Sequence, residues 1–204
     1  MTESDHELMQ QCRRGDSAAF ERLVRRWEKP VAGILGRLVG SRAQSSQTPL
    51  DAVPGSANGR SEIEDLSQEV FVRVLAARNQ YQNTYAFSTW LYRIVLNVAR
   101  DAARRRRSRW KRLINHRPAL HSESPPEVVG RKEVEQLIAE AFSALPSHLR
   151  KPLVLRHFAE RTFAEVAQVM NLPLSTVKSR VQTALLKLRA ELKNRGIDER
   201  KLEP

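Results

Sequence analysis

The chain has 204 residues, with 35 Lys and Arg against 23 Asp and Glu, a formal charge of +12 and an isoelectric point near 10.6; that length suits one or two modest domains, and that charge a polyanionic partner, nucleic acid before an acidic membrane surface. No apolar run approaches the ~20 residues that span a bilayer, and the start Met1-Thr2-Glu3-Ser4-Asp5 lacks the basic and apolar stretches of a signal peptide, so a cytoplasmic protein without membrane insertion is expected. Cys12 is the single cysteine and His6, His116, His121, His148 and His157 are scattered, which excludes an internal disulfide and leaves no metal-ligand spacing.

Nearly every periodic segment has the helical period and none alternates like a strand, which predicts an all-α protein of two helical domains. The first domain is expected over 1–112. It opens with a helix from Ser4 to Arg14, punctuated by Gly15-Asp16, and continues with a helix from Ala18 to Val39. Residues 41–61, rich in Ser, Pro and Gly, read as a flexible insertion. A helix from Glu62 to Ala77 follows, then a polar loop from Asn79 to Tyr85, then a long helix from Phe87 to Arg107 or beyond. Residues 113–130, with Pro118 and Pro125-Pro126, read as an extended linker. The second domain, 131–196, has a helix over 131–144, a helix starting at Pro146 and a helix-turn-helix; 197–204 is a polar tail.

Three faces carry chemistry. On the helix from Glu62, Ile63, Leu66, Val70 and Val74 make a core stripe, while Asp65, Gln68, Glu69 and Val72 point away from it. An acidic face with one apolar residue, in a basic domain, has the mixed character of a protein interface. On the helix from Phe87, the stripe Leu91, Ile94, Val95, Val98 and Ala102 opposes Arg93, Asn97, Arg100 and Arg104. That helix runs into Arg105, Arg106, Arg107, Arg109, Lys111 and Arg112. With Arg104 these are seven basic residues in nine, more than a helix dipole calls for, and read as a phosphate-binding strip. In the preceding loop, the rings of Tyr81 and Tyr85 and the amide of Asn83 suit unpaired bases, by stacking and by reading base edges.

The third face is the helix-turn-helix. Thr162 and Glu165 have capping-box spacing, Ala167 is small where helices cross, Asn171 tolerates a left-handed turn, and Pro173 stops the first helix. Ser175 or Leu174 starts the second helix, with Ser175 the better cap. There Val177, Val181, Ala184 and Leu188 form a buried stripe opposite Ser175, Lys178, Ser179 and Gln182. A polar second helix over a tight turn has the shape that enters a DNA major groove.

Together these segments resemble an RNA polymerase sigma factor of the extracytoplasmic-function group. The matching stretches are Arg14-Gly15-Asp16 with Ala19-Phe20-Glu21-Arg22-Leu23-Val24, Glu64-Asp65-Leu66-Ser67-Gln68-Glu69-Val70-Phe71, Phe87-Ser88-Thr89-Trp90-Leu91-Tyr92-Arg93-Ile94 with Asn97, Leu145-Pro146, and Thr176-Val177-Lys178-Ser179-Arg180. The resemblance implies a sigma region 2-type domain and a region 4-type domain. Asp65, Gln68, Glu69 and Val72 would dock on core RNA polymerase. Tyr81, Asn83, Tyr85, Arg93, Asn97, Arg100 and Arg104 would hold the separated downstream promoter element, with a flipped base in the loop. Ser175, Thr176, Lys178, Ser179, Arg180 and Gln182 would read the upstream element as duplex. The implied partners are core polymerase and promoter DNA. An anti-sigma factor, often membrane-bound in this family, is a further one. The chain departs from the family in the 41–61 insertion, and in Thr183 and Leu185, where Arg is common.

Two other readings compete. A free-standing helix-turn-helix regulator leaves the acidic helix and the tyrosine loop without a role. An enzyme acting on nucleic acid needs clustered carboxylates, a metal set or a nucleophile with its base. Asp65 and Glu69 share a face with no third acid near in sequence. No catalytic residue, cofactor, metal or small-molecule substrate is therefore expected.

Overall fold

The computed structural model describes residues 3–39, 59–114 and 131–195. Among these, eight α-helices and no strand are found: α1 (Asp5–Arg13), α2 (Ser17–Val39), α3 (Gly59–Ala76), α4 (Phe87–Ile114), α5 (Arg131–Ala144), α6 (Ser147–His157), α7 (Phe163–Met170) and α8 (Leu174–Asn194), with a 3₁₀ turn at Arg78–Gln80. The all-α expectation is met. Two boundaries move: 59–61, read as insertion, form the first turn of α3, and 113–114, read as linker, extend α4. Residues 40–58, 115–130 and 196–204, with the rest of the insertion and linker and the whole tail, lie outside the described residues.

Local chemistry sets the helix ends. At α1, Ser4 Oγ accepts from the Glu7 amide at 3.2 Å while Glu7 Oε2 accepts from the Ser4 amide at 2.7 Å, a reciprocal capping box that satisfies donors the helix itself leaves free. Gly15, at φ 95°, turns the chain after α1 where an L side chain would be strained. Asp16 Oδ1 then accepts from the Ala19 amide at 3.1 Å and opens α2. Pro30 sits inside α2 on its exposed side and the helix continues through it.

Helices α1–α4 bury one apolar face each against the others, with Leu8, Leu23, Leu35, Val70, Leu91 and Val95 almost fully enclosed. Each such residue contributes about 1.5–3 kcal/mol of burial. In the second half, α6, α7 and α8 pack around Leu149, Leu153, Val166, Val177 and Val181. The two halves are in contact: α4 lies against α7, and α2 against α5 and α6. Most of their buried side chains form one contiguous cluster, with Ala141 and Leu192 making a small second one between α5 and α8.

Candidate functional site

The helix-turn-helix forms as its residue types require. Thr162 Oγ1 accepts from the Glu165 amide at 3.2 Å, and Glu165 Oε2 accepts from the Thr162 amide at 2.8 Å. That backbone hydrogen bond, ahead of other causes, holds the Glu165 carboxyl below its ordinary range. Asn171 closes α7 in the left-handed region at φ 53°, ψ 52°. Helix α8 begins at Leu174, one of the two expected starts, but Ser175 is not its cap: Pro173 takes that position, with no side-chain cap bond. Proline's fixed φ and extended ψ already set the entry geometry, so Ser175 is left exposed in the first turn. Val177, Val181 and Ala184 are buried and Ser175, Lys178, Ser179 and Gln182 exposed, while Thr176 and Arg180 are half-buried at the margin. Thus α8 presents an exposed polar ridge along its length from Ser175 to Gln182.

The loop before α4 divides. Asn83 and Tyr85 are exposed, and Tyr85 lies 5.5 Å from the Arg93 guanidinium, ring to cation. Tyr81, expected to face unpaired bases, is instead 3% exposed. Its ring packs against His6, Phe87 and Trp90 at centroid distances of 5.9, 5.9 and 5.2 Å. Burial raises its phenol pKa, with Asp5 adding to the effect. In this arrangement Tyr81 is core, holding the loop to α1 and α4, and cannot stack on a base. The polar residues around it disguise this in the sequence.

The basic strip divides as well. Arg105 Nη2 donates to Glu69 Oε2 at 2.9 Å, and Arg106 Nη2 donates to both oxygens of Glu62 at 2.8 and 3.0 Å. These two expected phosphate ligands therefore tie α4 to α3. Arg104, 82% exposed at its side chain, lies only 3.7 Å from Asp101. Arg107 and Arg109 are exposed, and among the described residues no carboxylate pairs with them. The side chains of Lys111 and Arg112 lie outside the described residues.

On α3, Asp65, Gln68 and Val72 stand in solvent, Val72 at 66% exposure. Glu69 does not stand free with them: it is half-buried and paired with Arg73 as well as Arg105. Burial pushes its carboxyl up, but Arg105 and then Arg73 outweigh this and hold it below the ordinary range. Leu75, missed in the sequence, is 40% exposed; its spacing from Asp65, Gln68 and Val72 places it on the same helical face. The exposed face is thus Asp65, Gln68, Val72 and Leu75.

The two domains meet over the polar face of α4. Arg93 Nη2 donates to the Gln168 carbonyl of α7 at 2.8 Å, and Arg161 Nη1 donates to Ser88 Oγ at 3.2 Å. Arg37 of α2 lies 4.1 Å over the Phe158 ring, just after α6. Arg93, Asn97 and Arg100 line a cleft whose other wall is the end of α7 and Asn171. The polar face of α8 remains exposed.

Residues 55–109 match the family model described as Sigma-70 region 2, and residues 141–190 that described as Sigma-70, region 4. The chain is similar to the RNA polymerase sigma-H factor of Pseudomonas aeruginosa, 30% identical over 189 residues that cover 88% of this chain and 89% of that one. It is also similar to the ECF RNA polymerase sigma-E factor of Escherichia coli, 28% identical over 188 residues, 87% and 88% of the two chains. In fold it resembles CnrH, solved with the cytosolic domain of CnrY, at TM-score 0.65 and 23% identity, over 94% of this chain and 99% of that one. It likewise resembles the sigma factor RpoE of Bartonella quintana, solved with the anti-sigma factor NepR, at TM-score 0.61 and 17% identity over 85% and 96%. A helix-turn-helix with an exposed polar ridge, a basic α4 and an acidic α3 sit within these matched segments, and the chain belongs to the sigma-70 family of RNA polymerase sigma factors, in its extracytoplasmic-function group.

Proposed function

We propose that this transcription initiation factor brings core RNA polymerase to promoters by dividing the work among three faces. The exposed face of α3, Asp65, Gln68, Val72 and Leu75, docks on the polymerase; its mixed acidic, amide and apolar character is that of an interface formed and broken repeatedly. Ser175, Lys178, Ser179 and Gln182 of α8 enter the major groove of the upstream element and contact base edges, with Thr176 and Arg180 at the margin. Asn83, Tyr85, Arg93, Asn97 and Arg100 hold one strand of the downstream element after it separates, while Arg107 and Arg109 contact phosphates. Nothing in this scheme needs a catalytic group, cofactor or metal on the chain.

The observation that carries the reading is the α7–α8 geometry: a capping box, a left-handed Asn171 and a rigid Pro173 place an unobstructed polar ridge over a small buried stripe. The test is a promoter selection with reconstituted holoenzyme. Changing Ser179 or Gln182 should shift the upstream sequence selected and leave the downstream one in place; an unshifted upstream sequence removes α8 from base reading.

Arg93 on the α4 face is engaged by the Gln168 carbonyl of α7 while Asn97 and Arg100 stay exposed, so the domains part to free Arg93 for a strand. An anti-sigma partner, as in the complex of the Bartonella quintana factor, fits a chain whose two domains already meet at Arg93 of the proposed strand-binding face.

A further inference from the structure

The closed arrangement creates a site that neither domain has alone. A cleft of about 500 Å³ runs between α4 and the α6–α7 region. From the first domain Arg93, Asn97 and Arg100 face it; from the second, Lys151 and Asn171 do. Three cations and two amides converge, and among the described residues no carboxylate lines the cleft. The nearby acids are engaged elsewhere: Asp101 with Arg73 at 3.0 Å, and Glu165 with Thr162 and with Arg161 at 3.2 Å.

This crowding is unfavourable as it stands. Lys151 is half-buried, and its ammonium is held below the ordinary lysine range, first by burial and then by Arg100 and Arg150. Like charges gathered along one cleft repel, and more strongly than in water where burial thins the solvent, as at Lys151. Arg93 spends only part of its donor fork on the Gln168 carbonyl.

We propose that the interdomain cleft binds a small multivalent phosphate anion, of the tri- or polyphosphate class, which bridges Arg93 and Arg100 on α4 to Lys151 on α6 and holds the two domains closed. Guanidinium groups take phosphate oxygens in pairs, and a lysine serves as a point charge for the same ligand. The cations are spread over two helices of different domains, so an anion with several phosphate groups can engage all three where a single phosphate engages only some. A ligand that binds the closed form and not the open one shifts the population toward it. If α4 holds the downstream strand as proposed above, the anion and promoter DNA compete for Arg93 and Arg100; that consequence rests on the proposed function, whereas the site itself does not.

The test uses the full chain without polymerase, titrated with sodium tripolyphosphate in a calorimeter at constant ionic strength. One site per chain is expected. Lys151→Gln should weaken it by about tenfold or more, the loss of one charge-assisted contact, and Lys151→Arg should restore it. Lys193→Gln is the charge-matched control: it removes an exposed cation roughly 28 Å along α8 from the turn and should leave binding unchanged. Several weak equivalent sites, equal loss in the Lys151→Gln and Lys193→Gln proteins, or no heat of binding would each overturn the proposal. Binding that persists undiminished in Lys151→Gln would place the anion on α4 alone and likewise overturn the bridge. Polymerase binding measured without the anion reports on the sigma-factor scheme separately, so the two can fail independently.

Discussion

At the scale of single residues, the turn between α7 and α8 is where conformation is most constrained. Asn171 holds φ 53°, a region that costs an ordinary L residue about 1–2 kcal/mol. Asn171→Ala should therefore destabilise the chain by about 1 kcal/mol, while Asn171→Gly should not, as read from thermal unfolding; equal effects would mean the backbone does not need this conformation. Thr162→Ala removes the capping box and should cost about 1 kcal/mol. The Glu165 side of that box has a pH signature. Its carboxyl is depressed in the folded chain, so its contribution is fully present above the ordinary carboxylate range and is lost as pH falls through the folded value. The penalty of Thr162→Ala should accordingly shrink as the buffer is acidified, and a penalty constant down to acid unfolding contradicts the box. These residues were legible because capping and turn chemistry are local. Tyr81 was not, because its burial comes from His6 of α1 and from Phe87 and Trp90 of α4, which meet only in the folded chain. Glu160, also left-handed at φ 53°, was missed because nothing local in a glutamate favours that turn.

At the scale of helices, periodicity gave the faces and the structure divided them. The heptad-like spacing of α4 correctly separated its buried stripe from its basic side. It could not show which arginines are neutralised by a neighbouring helix, and Glu62 and Glu69 of α3 take up Arg106 and Arg105. Two different outcomes are expected from changes within one basic run. Arg107→Gln or Arg109→Gln should weaken DNA binding uniformly across sequences and reduce the salt slope by about one each. Arg105→Gln should instead loosen the α3–α4 seam, by less than about 1 kcal/mol since the pair is only partly buried and still screened by solvent, with little change in salt slope. A full loss of slope from Arg105→Gln would return it to the phosphate strip. The same logic narrows α3: Glu69 is paired with Arg73 and Arg105, so the set proposed to face the polymerase gains Leu75 and loses a free carboxylate.

At the scale of the whole molecule, the sequence specified two helical units but not their relation, because the contacts between them depend on single side chains without periodic signature. Arg93 reaches a carbonyl, Arg161 a serine hydroxyl and Arg37 an aromatic face. None of these is marked in advance as an interdomain residue. Arg37→Ala with Arg161→Ala should release the second domain, raising the radius of gyration in solution scattering and increasing binding of single-stranded promoter DNA severalfold; unchanged scattering would show that the buried cluster alone holds the domains. The most direct test of the division of labour is co-elution of the purified chain with bacterial core RNA polymerase at moderate salt, where a +12 protein no longer adheres by charge alone. Stable one-to-one binding, lost when Asp65 and Gln68 are both changed to Ala with the fold intact, is the expected result. Binding that survives the double substitution, or no binding by a folded and opened chain, would contradict the assignment of the α3 face to the polymerase.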